Sequence, residues 1–218
     1  WHPNIVVFSA IDFDFLRTMA VYAPLLFPNS DMPWAKPRFV LKDGQLVLVN
    51  VPTPSPEEIF SVSSIKDLPF ITYDRFYIWE EWDREYWKAF NFSYLFRFIA
   101  SWPAVWESRG YPSFDETVRT LNRELLRSFV RLAPSEGSIP LLVYLPVRTD
   151  LTEGTQAGYV PQGLRIMREA GAETIDLTPC LSEVDSANRV APNEHYTPQS
   201  NVAVARCLRE VVINHLPR

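Results

Sequence analysis

Apolar runs and segments of helical spacing alternate along the chain, most regularly over its second half. Continuous apolar runs predict buried strands, and apolar residues spaced at i, i+3 and i+4 predict helices. The strands are predicted at residues 5–9, 139–145 and 173–177, and the helices at 113–131 (capped by Ser113 or Asp115), 161–170 (closed by Gly171) and 198–215. Strands that alternate with helices favour an α/β fold built on a parallel sheet with right-handed crossovers.

A hairpin interrupts this alternation between residues 38 and 50. Two runs of alternating apolar residues flank Asp43-Gly44, a dipeptide typical of a tight hairpin turn. Prolines are frequent on both sides of the hairpin, at positions 24, 28, 33, 37, 52, 54 and 56. We therefore predict one α/β domain over residues 1–218, incomplete at its N-terminus, with residues 23–112 inserted into it.

Residues 76–106 have the most unusual composition of the chain, because thirteen aromatic side chains are interleaved with charges. Within this segment, residues 84–100 place Trp87, Phe90, Tyr94 and Phe98 at helical spacing. The pattern predicts an amphipathic helix whose aromatic face docks on the core. An aromatic lid, or a surface that binds acyl groups or sugars, is the alternative interpretation.

The composition indicates a folded chain, with 47% hydrophobic residues and a net charge of −5. Its basic residues are scattered, so we predict no nucleic-acid partner, and no apolar run approaches the roughly eighteen residues of a transmembrane helix. Cys180 and Cys207 form no metal-binding motif and do not require a disulfide, which leaves the compartment open. The three histidines, at positions 2, 195 and 215, form no ligand-spaced pair, so we predict no metal and no cofactor.

His195 is the main candidate for chemistry. It lies in a polar loop just before the last predicted helix, for which Thr197 is the expected N-cap and Pro198 the first residue. Such a loop is expected beyond a strand of the sheet, in the crevice where α/β proteins bind ligands. Asn193 and Glu194 supply side-chain oxygens beside the imidazole. An isolated surface histidine is the alternative interpretation.

Four stretches of the chain resemble the SGNH (GDSL) hydrolase family, in particular its bacterial branch with a proline-framed hairpin. They are residues 2–14, 36–52, 175–179 (Ile-Asp-Leu-Thr-Pro) and 193–201 (Asn-Glu-His-Tyr-Thr-Pro-Gln-Ser-Asn). The resemblance implies a flavodoxin-like three-layer α/β/α fold with a parallel sheet. It also implies serine ester hydrolysis, in which the serine of a Gly-Asp-Ser block attacks, a histidine takes its proton and an acidic residue orients that histidine.

The chain departs from this family pattern at three places. It contains no Gly-Asp-Ser block, so the resemblance implies a nucleophile upstream of the printed sequence. Ile11 and Asp12 stand where the family has Asn-Asp, so the asparagine that donates to the oxyanion is missing. The family's acid before the histidine matches Asn193 or Pro192. Asn193 is the expected partner that orients His195, and Glu194 is the alternative.

We therefore expect a serine ester hydrolase that acts on small acyl or acetyl esters, or on a carbohydrate ester, with His195 as general base. Ser9 is an alternative nucleophile, because it follows a predicted strand. Two other functions stay open. The first is a non-catalytic domain that binds a carbohydrate or a protein. The second is an acyltransferase that moves acyl groups to a polysaccharide hydroxyl.

Overall fold

A computed structural model of the chain describes most of its residues. The described residues are 2–27, 34–80, 93–95, 98, 114–153, 158–191 and 195–216. They belong to two compact units. The first unit contains residues 1–15 and 119–218, and the second contains residues 16–118.

The described residues form strands, helices and short 3₁₀ helices. In chain order the strands and helices are β1 (Ile5–Ala10), α1 (Asp12–Arg17), α2 (Ala23–Leu26), β2 (Arg38–Lys42), β3 (Gln45–Val49), α3 (Pro56–Ser61), α4 (Arg75–Glu80), α5 (Glu116–Ser135), β4 (Ile139–Tyr144), α6 (Arg148–Glu153), α7 (Gln162–Arg168), β5 (Glu173–Asp176), α8 (Thr178–Ser182) and α9 (Pro198–His215). The 3₁₀ helices are Ile65–Asp67, Ile71–Tyr73 and Ser186–Asn188.

A parallel sheet of three strands, in the order β1-β4-β5, lies in the first unit. Ile5 pairs with Ile139 and Ala10 with Tyr144 along β1 and β4, and β5 pairs with the other side of β4. The last four residues of β4 are all buried, as its continuous apolar sequence predicts. The predicted α/β class and the predicted parallel strands are therefore confirmed.

The predicted long helices are also present; α9 has its predicted bounds, whereas α5 and α7 begin and end at other residues. Helix α5 continues to Ser135 instead of ending at Arg131, and the buried Ala133 extends its apolar face by one turn. The chain leaves the helix at Gly137, whose φ of +77° is accessible to glycine at little cost. The sequence analysis did not predict the helices α1, α2, α3, α4, α6 and α8, each of which has only four to six residues.

A disulfide attaches the last helix, α9, to helix α8 of the same unit. Ser200 is the one buried residue of α9, and the remaining residues of α9 are half-buried or exposed. Cys207 in α9 bonds to Cys180 in α8, with 6.5 Å between the two Cα atoms. At the C-terminal end of α9, the His215 ring lies 3.0 Å from the Glu173 carboxylate. The structure therefore contains the disulfide that the sequence analysis left open.

Removing this disulfide should destabilise the first unit. The two cysteines that it joins are 27 positions apart in the sequence. Loop-closure entropy predicts that replacing both cysteines with serine lowers the free energy of unfolding by about 3 to 4 kcal/mol. Urea unfolding followed by circular dichroism measures this loss. A reducing agent should cause the same loss of stability in the wild-type protein and no loss in the variant with both cysteines replaced. Equal stability of the wild type, the reduced wild type and the variant would contradict the prediction.

The second unit contains the predicted hairpin. Strands β2 and β3 are antiparallel, with Arg38 paired to Val49 and Lys42 to Gln45. Asp43 and Gly44 both have positive φ, at 50° and 75°, as the tight turn between twisted strands requires. The predicted hairpin is therefore confirmed.

A buried carboxylate organises the backbone of the second unit. Asp74 is fully buried, and one of its oxygens accepts N–H bonds from Val21 at 2.7 Å and Tyr22 at 2.8 Å. Its other oxygen accepts N–H bonds from Phe76 at 2.9 Å and Tyr77 at 3.2 Å. Asp74 therefore supplies the acceptors for four backbone amides from two segments that are distant in sequence.

The predicted aromatic helix at residues 84–100 lies mostly outside the described residues. Of its proposed docking face, Tyr94 and Phe98 are described, and their side chains are 83% and 63% exposed. The prediction that this face docks on the core is therefore wrong at Tyr94 and Phe98. Helical spacing alone does not determine whether another part of the protein covers an aromatic face. Among the helices that the structure describes, none has the length and hydropathy needed to cross a membrane.

Candidate functional site

The loop that carries His195 lies at the end of the sheet where the parallel strands finish. Tyr196, the residue after His195, donates a hydrogen bond from its phenol to the carbonyl of Pro146 at 2.6 Å. Pro146 follows the end of β4, and the N–H of Leu145 donates to the carbonyl of Ala10 at the end of β1 at 3.0 Å. The His195 side chain is exposed. His195 therefore lies beside the carboxyl ends of two strands, the usual position of ligand sites in open α/β sheets.

Hydrogen bonds join the two arms of this loop at its described residues. The N–H of Ala191 donates to the carbonyl of His195 at 2.8 Å, and Val190 and Tyr196 form an antiparallel bridge. From the other side, Nη2 of Arg148 donates to the carbonyls of Val190 at 3.3 Å and Ala191 at 3.1 Å. Both arms of the loop are thus fixed, and His195 is presented from an ordered base.

The start of α9 fixes the loop on its C-terminal side. The Thr197 hydroxyl accepts the N–H of Ser200 at 3.2 Å, and Pro198 occupies the first helical turn, so the predicted N-cap is confirmed. The hydroxyl of the buried Ser200 donates to the carbonyl of Arg189 at 2.7 Å. Hydrogen bonds therefore join the start of the helix to the turn before the loop.

Tyr196 also anchors the loop through its ring. The ring packs on a buried cluster formed by Leu151, Leu181 and Val190. Burial, together with the negative charge of Asp150, raises the pKa of the Tyr196 phenol above its usual range. The phenol therefore stays protonated at physiological pH and keeps its hydrogen bond to the backbone.

Two carboxyl groups and a tyrosine form a hydrogen-bonded group below this loop. The Tyr144 phenol, at the end of β4, lies 2.9 Å from Oδ1 of Asp12 and 2.8 Å from Oδ2 of Asp150. Asp150 also accepts the N–H of Val147 at 2.9 Å and the phenol of Tyr159 at 2.9 Å. The group joins the ends of β1 and β4 to the start of α6.

Asp12 extends the group to the first turn of α7. Its carboxylate accepts the N–H of Gly163 at 2.8 Å and the N–H of Gln162 at 3.2 Å. A Cβ atom on Gly163 would lie 2.7 Å from the Asp12 carboxylate and 2.5 Å from the Phe15 ring. Glycine at position 163 therefore permits the approach of α7 to Asp12.

The Tyr144 phenol lies between two carboxyl groups that cannot both accept its proton. The Tyr144 phenol has one proton, which it cannot donate along both short contacts. Burial raises the pKa of Asp12, and the charge of Asp150 adds to this effect, although the bonds from Gly163 and Tyr144 oppose it. Two ionised carboxylates would compete for this one proton, whereas a proton on Asp12 would supply the second donor of the group.

Stability should therefore depend on pH through Asp12. Its pKa in the folded protein is above 3.8, so the folded state binds this proton more tightly than the unfolded state. The resulting stabilisation is complete below about pH 4 and is lost as the pH rises through the raised pKa. The variant Asp12→Asn should lack this part of the pH dependence. Urea unfolding between pH 3.5 and 7 measures it, with Asp185→Asn, an exposed carboxylate, as the control; equal pH profiles for Asp12→Asn and wild type contradict the prediction.

The structure describes one of the three predicted catalytic residues. His195 is exposed in its predicted loop, whereas Asn193 and Glu194 lie outside the described residues. Ser9, the alternative nucleophile, was expected after the first strand. It lies inside β1 and pairs in register with Val143, because the strand continues to Ala10.

The sequence analysis missed Arg148, Tyr144 and Asp150. The signal for Tyr144 was its position at the end of a strand predicted to be fully buried, since a buried phenol requires a hydrogen-bond partner. Asp150 is 3% exposed, and a buried carboxylate likewise requires donors. Neither signal identifies the partner, because Asp12 is 132 positions away from Tyr144 in sequence.

Across the described ranges, no three histidine, cysteine, aspartate or glutamate side chains are grouped as metal ligands. Comparison of the chain with protein-family models, with curated proteins and with solved structures finds no match. The assignment of a function therefore depends on the geometry of the His195 loop and on the chemistry of its residues.

Proposed function

We propose that the chain carries the catalytic base of a serine ester hydrolase, with His195 as that base. The exposed His195, held beside the carboxyl ends of β1 and β4, is the observation on which this proposal depends. In the reaction, the imidazole removes the proton of an attacking hydroxyl and then returns it to the leaving alcohol. Asn193 or Glu194 orients the ring, and the substrate is a small acyl or acetyl ester or a carbohydrate ester.

The rigid base of the loop supports this role. A general base requires a fixed position, since its efficiency depends on the distance and angle to the proton that it removes. Arg148 and Tyr196 fix the two arms of the loop by hydrogen bonds to backbone carbonyls. An exposed histidine without a function does not require such support.

The free edge of β1 supports a nucleophile from outside the printed sequence. In the described residues, β1 is an edge strand that pairs with β4 alone, and Val7 in its centre is 45% exposed. A further parallel strand on this edge would end on the same side of the sheet as the His195 loop. We propose that such a strand completes a flavodoxin-like three-layer fold and carries the serine.

Active-site labelling tests the proposal. The protein as its gene encodes it, including any residues before Trp1, is treated with a fluorophosphonate probe and assayed with a nitrophenyl ester. We expect hydrolysis and one labelled serine, which peptide mass spectrometry assigns to a position upstream of Trp1. Label on Ser9 would refute the upstream nucleophile. Absence of both label and hydrolysis would refute the hydrolase.

A non-catalytic binding domain is the second candidate. Phe39 and Leu48, which are cross-strand partners, are 40% and 47% exposed on the outer face of the hairpin. Exposed apolar pairs of this kind occur on surfaces that bind carbohydrates or proteins. Retention of the protein on a glycan array without ester hydrolysis favours this candidate. Transfer of acyl groups to an added alcohol instead of water identifies an acyltransferase.

A further inference from the structure

The segment that leads from helix α8 to the His195 loop lies on the surface of the first unit. Residues 185–188 are all exposed, and the 3₁₀ helix Ser186–Asn188 within them buries none of its side chains. Burial of apolar surface therefore does little to fix this segment. Its position, and with it the position of the loop, must depend on hydrogen bonds to other elements.

Arg189, the half-buried residue that follows this segment, binds the end of α8 with its side chain. Its Nε donates to the carbonyl of Val184 at 2.7 Å, and its Nη2 donates to the carbonyl of Ser182 at 2.9 Å. The last carbonyls of a helix have no partner within the helix, and the planar guanidinium can bind two of the carbonyls at such an end together. The Arg189 side chain therefore attaches the loop end of the exposed segment to its α8 end.

Helix α8 is itself fixed by the sheet and by the core. Leu177, just before the helix, and Leu181 in its last turn are both 0% exposed. Leu181 belongs to the buried cluster with Leu151 and Val190. The N–H of Leu177 donates to the carbonyl of Tyr144 at the end of β4, at 3.3 Å. Arg189 therefore binds an element whose own position is well determined.

The main chain of the same residue binds the other arm of the His195 loop. The Arg189 carbonyl accepts the N–H of Thr197 at 3.3 Å and the hydroxyl of Ser200 at 2.7 Å. The neighbouring carbonyl of Asn188 accepts the hydroxyl of Thr197, which lies two residues after His195. Arg189 thus connects three parts of the unit. Its side chain binds the end of α8, its carbonyl binds the start of α9, and its backbone continues into the loop.

The disulfide joins α8 and α9 at a different place. Cys207 lies in the third turn of α9, well after the loop, and bonds to Cys180 in α8. This bond keeps the two helices together when the contacts of Arg189 are removed, but it does not fix the residues that precede α9. Loss of the Arg189 side chain should therefore loosen the His195 loop and leave α9 attached.

We propose that Arg189 is a positioning residue, which holds the His195 loop at a fixed place relative to α8 and so determines where the imidazole acts. The catalytic part of this inference rests on the proposed function, in which His195 is the general base. Proton removal depends steeply on the position of the base, and a displacement of about 1 Å can cost about a hundredfold in rate. In this role Arg189 acts through His195 and not on the substrate.

Ester hydrolysis by the protein as its gene encodes it tests the catalytic part. Arg189→Met keeps the unbranched stem and removes the donors to Ser182 and Val184. With a nitrophenyl ester, its kcat should fall by about tenfold or more while its KM stays within about twofold of wild type. Arg189→Lys, which retains the charge but lacks the planar fork of donors, should lie between the two. Arg206→Met, at an exposed arginine of α9, is the matched control and should have wild-type kcat and KM.

Hydrogen exchange tests the positioning of the loop without any ester. The N–H groups of Ala191 and Thr197 bond across the loop, to the carbonyls of His195 and Arg189. In Arg189→Met these two amides should exchange about fivefold faster or more than in wild type, because the loop opens more often. The amide of Val143, in the buried part of β4, should stay as protected as in wild type. Faster exchange at Val143 as well would indicate a general loss of stability and would contradict a positioning role.

The two measurements separate this inference from the proposed function. Faster exchange at Ala191 and Thr197 in Arg189→Met, combined with a wild type that hydrolyses no ester, refutes the hydrolase and supports Arg189 as the residue that positions the loop. Unchanged exchange at both amides overturns the inference, whatever the activity. A wild-type kcat for Arg189→Met in a protein that does hydrolyse the ester overturns it as well.

Discussion

Replacing His195 with glutamine is expected to abolish the ester hydrolysis that we propose for this protein. Without the imidazole, no group removes the proton of the attacking hydroxyl or returns it to the leaving alcohol. Loss of the histidine from a serine–histidine site lowers kcat by about 10⁴-fold or more, and the residual rate comes from binding and oxyanion stabilisation. Hydrolysis of a nitrophenyl ester under saturating conditions measures the effect.

The matched control for this prediction is His2→Gln. His2 is exposed and belongs to the same unit as His195, but it precedes β1 and lies at the opposite end of that strand. The variant should keep wild-type kcat and KM, and both variants should unfold at the same urea concentration as wild type. A decrease of less than about tenfold for His195→Gln would exclude His195 as the general base.

Elements with a strong local signal could be predicted from the sequence. The apolar run of β1, the Asp43-Gly44 turn and the Thr197-Pro198 start of α9 each depend on residues that are neighbours in the chain. The same local reasoning placed His195 in a loop next to a helix N-terminus. For this reason the parallel sheet, the hairpin and the loop agree with the structure.

Features that depend on long-range contacts could not be predicted in this way. The bond between Tyr144 and Asp12 joins positions that are 132 residues apart, and the disulfide joins residues that are 27 apart. Helix α6 has six residues, a length at which an isolated helix is unstable. Its buried Leu151 packs with Leu181 and Val190, which are distant in sequence, so its signal lies in the tertiary structure.

The Asp74→Ala variant is expected to have the largest effect on stability. It leaves the N–H groups of Val21, Tyr22, Phe76 and Tyr77 without their acceptor. All of these bonds except the one from Tyr77 are fully buried. An unsatisfied buried polar group costs about 1 to 3 kcal/mol. The bonds from Val21, Tyr22 and Phe76 are buried, so the loss should be at least about 3 kcal/mol, a large part of the roughly 5 to 15 kcal/mol that stabilises a typical domain. The second unit should therefore unfold at a much lower urea concentration in this variant than in wild type.

A graded series distinguishes lost hydrogen bonds from lost packing. Asp74→Asn keeps one oxygen, which can accept two of the four N–H bonds, so its loss of stability should lie between those of wild type and Asp74→Ala. Asp67→Ala, at an exposed carboxylate of the same unit, should change stability by less than about 0.5 kcal/mol. Urea unfolding gives the free energies, and hydrogen exchange at the amides of Val21 and Tyr22 reports the loss locally. Protection of these amides in Asp74→Ala equal to that in wild type would show that the carboxylate does not hold the two segments together.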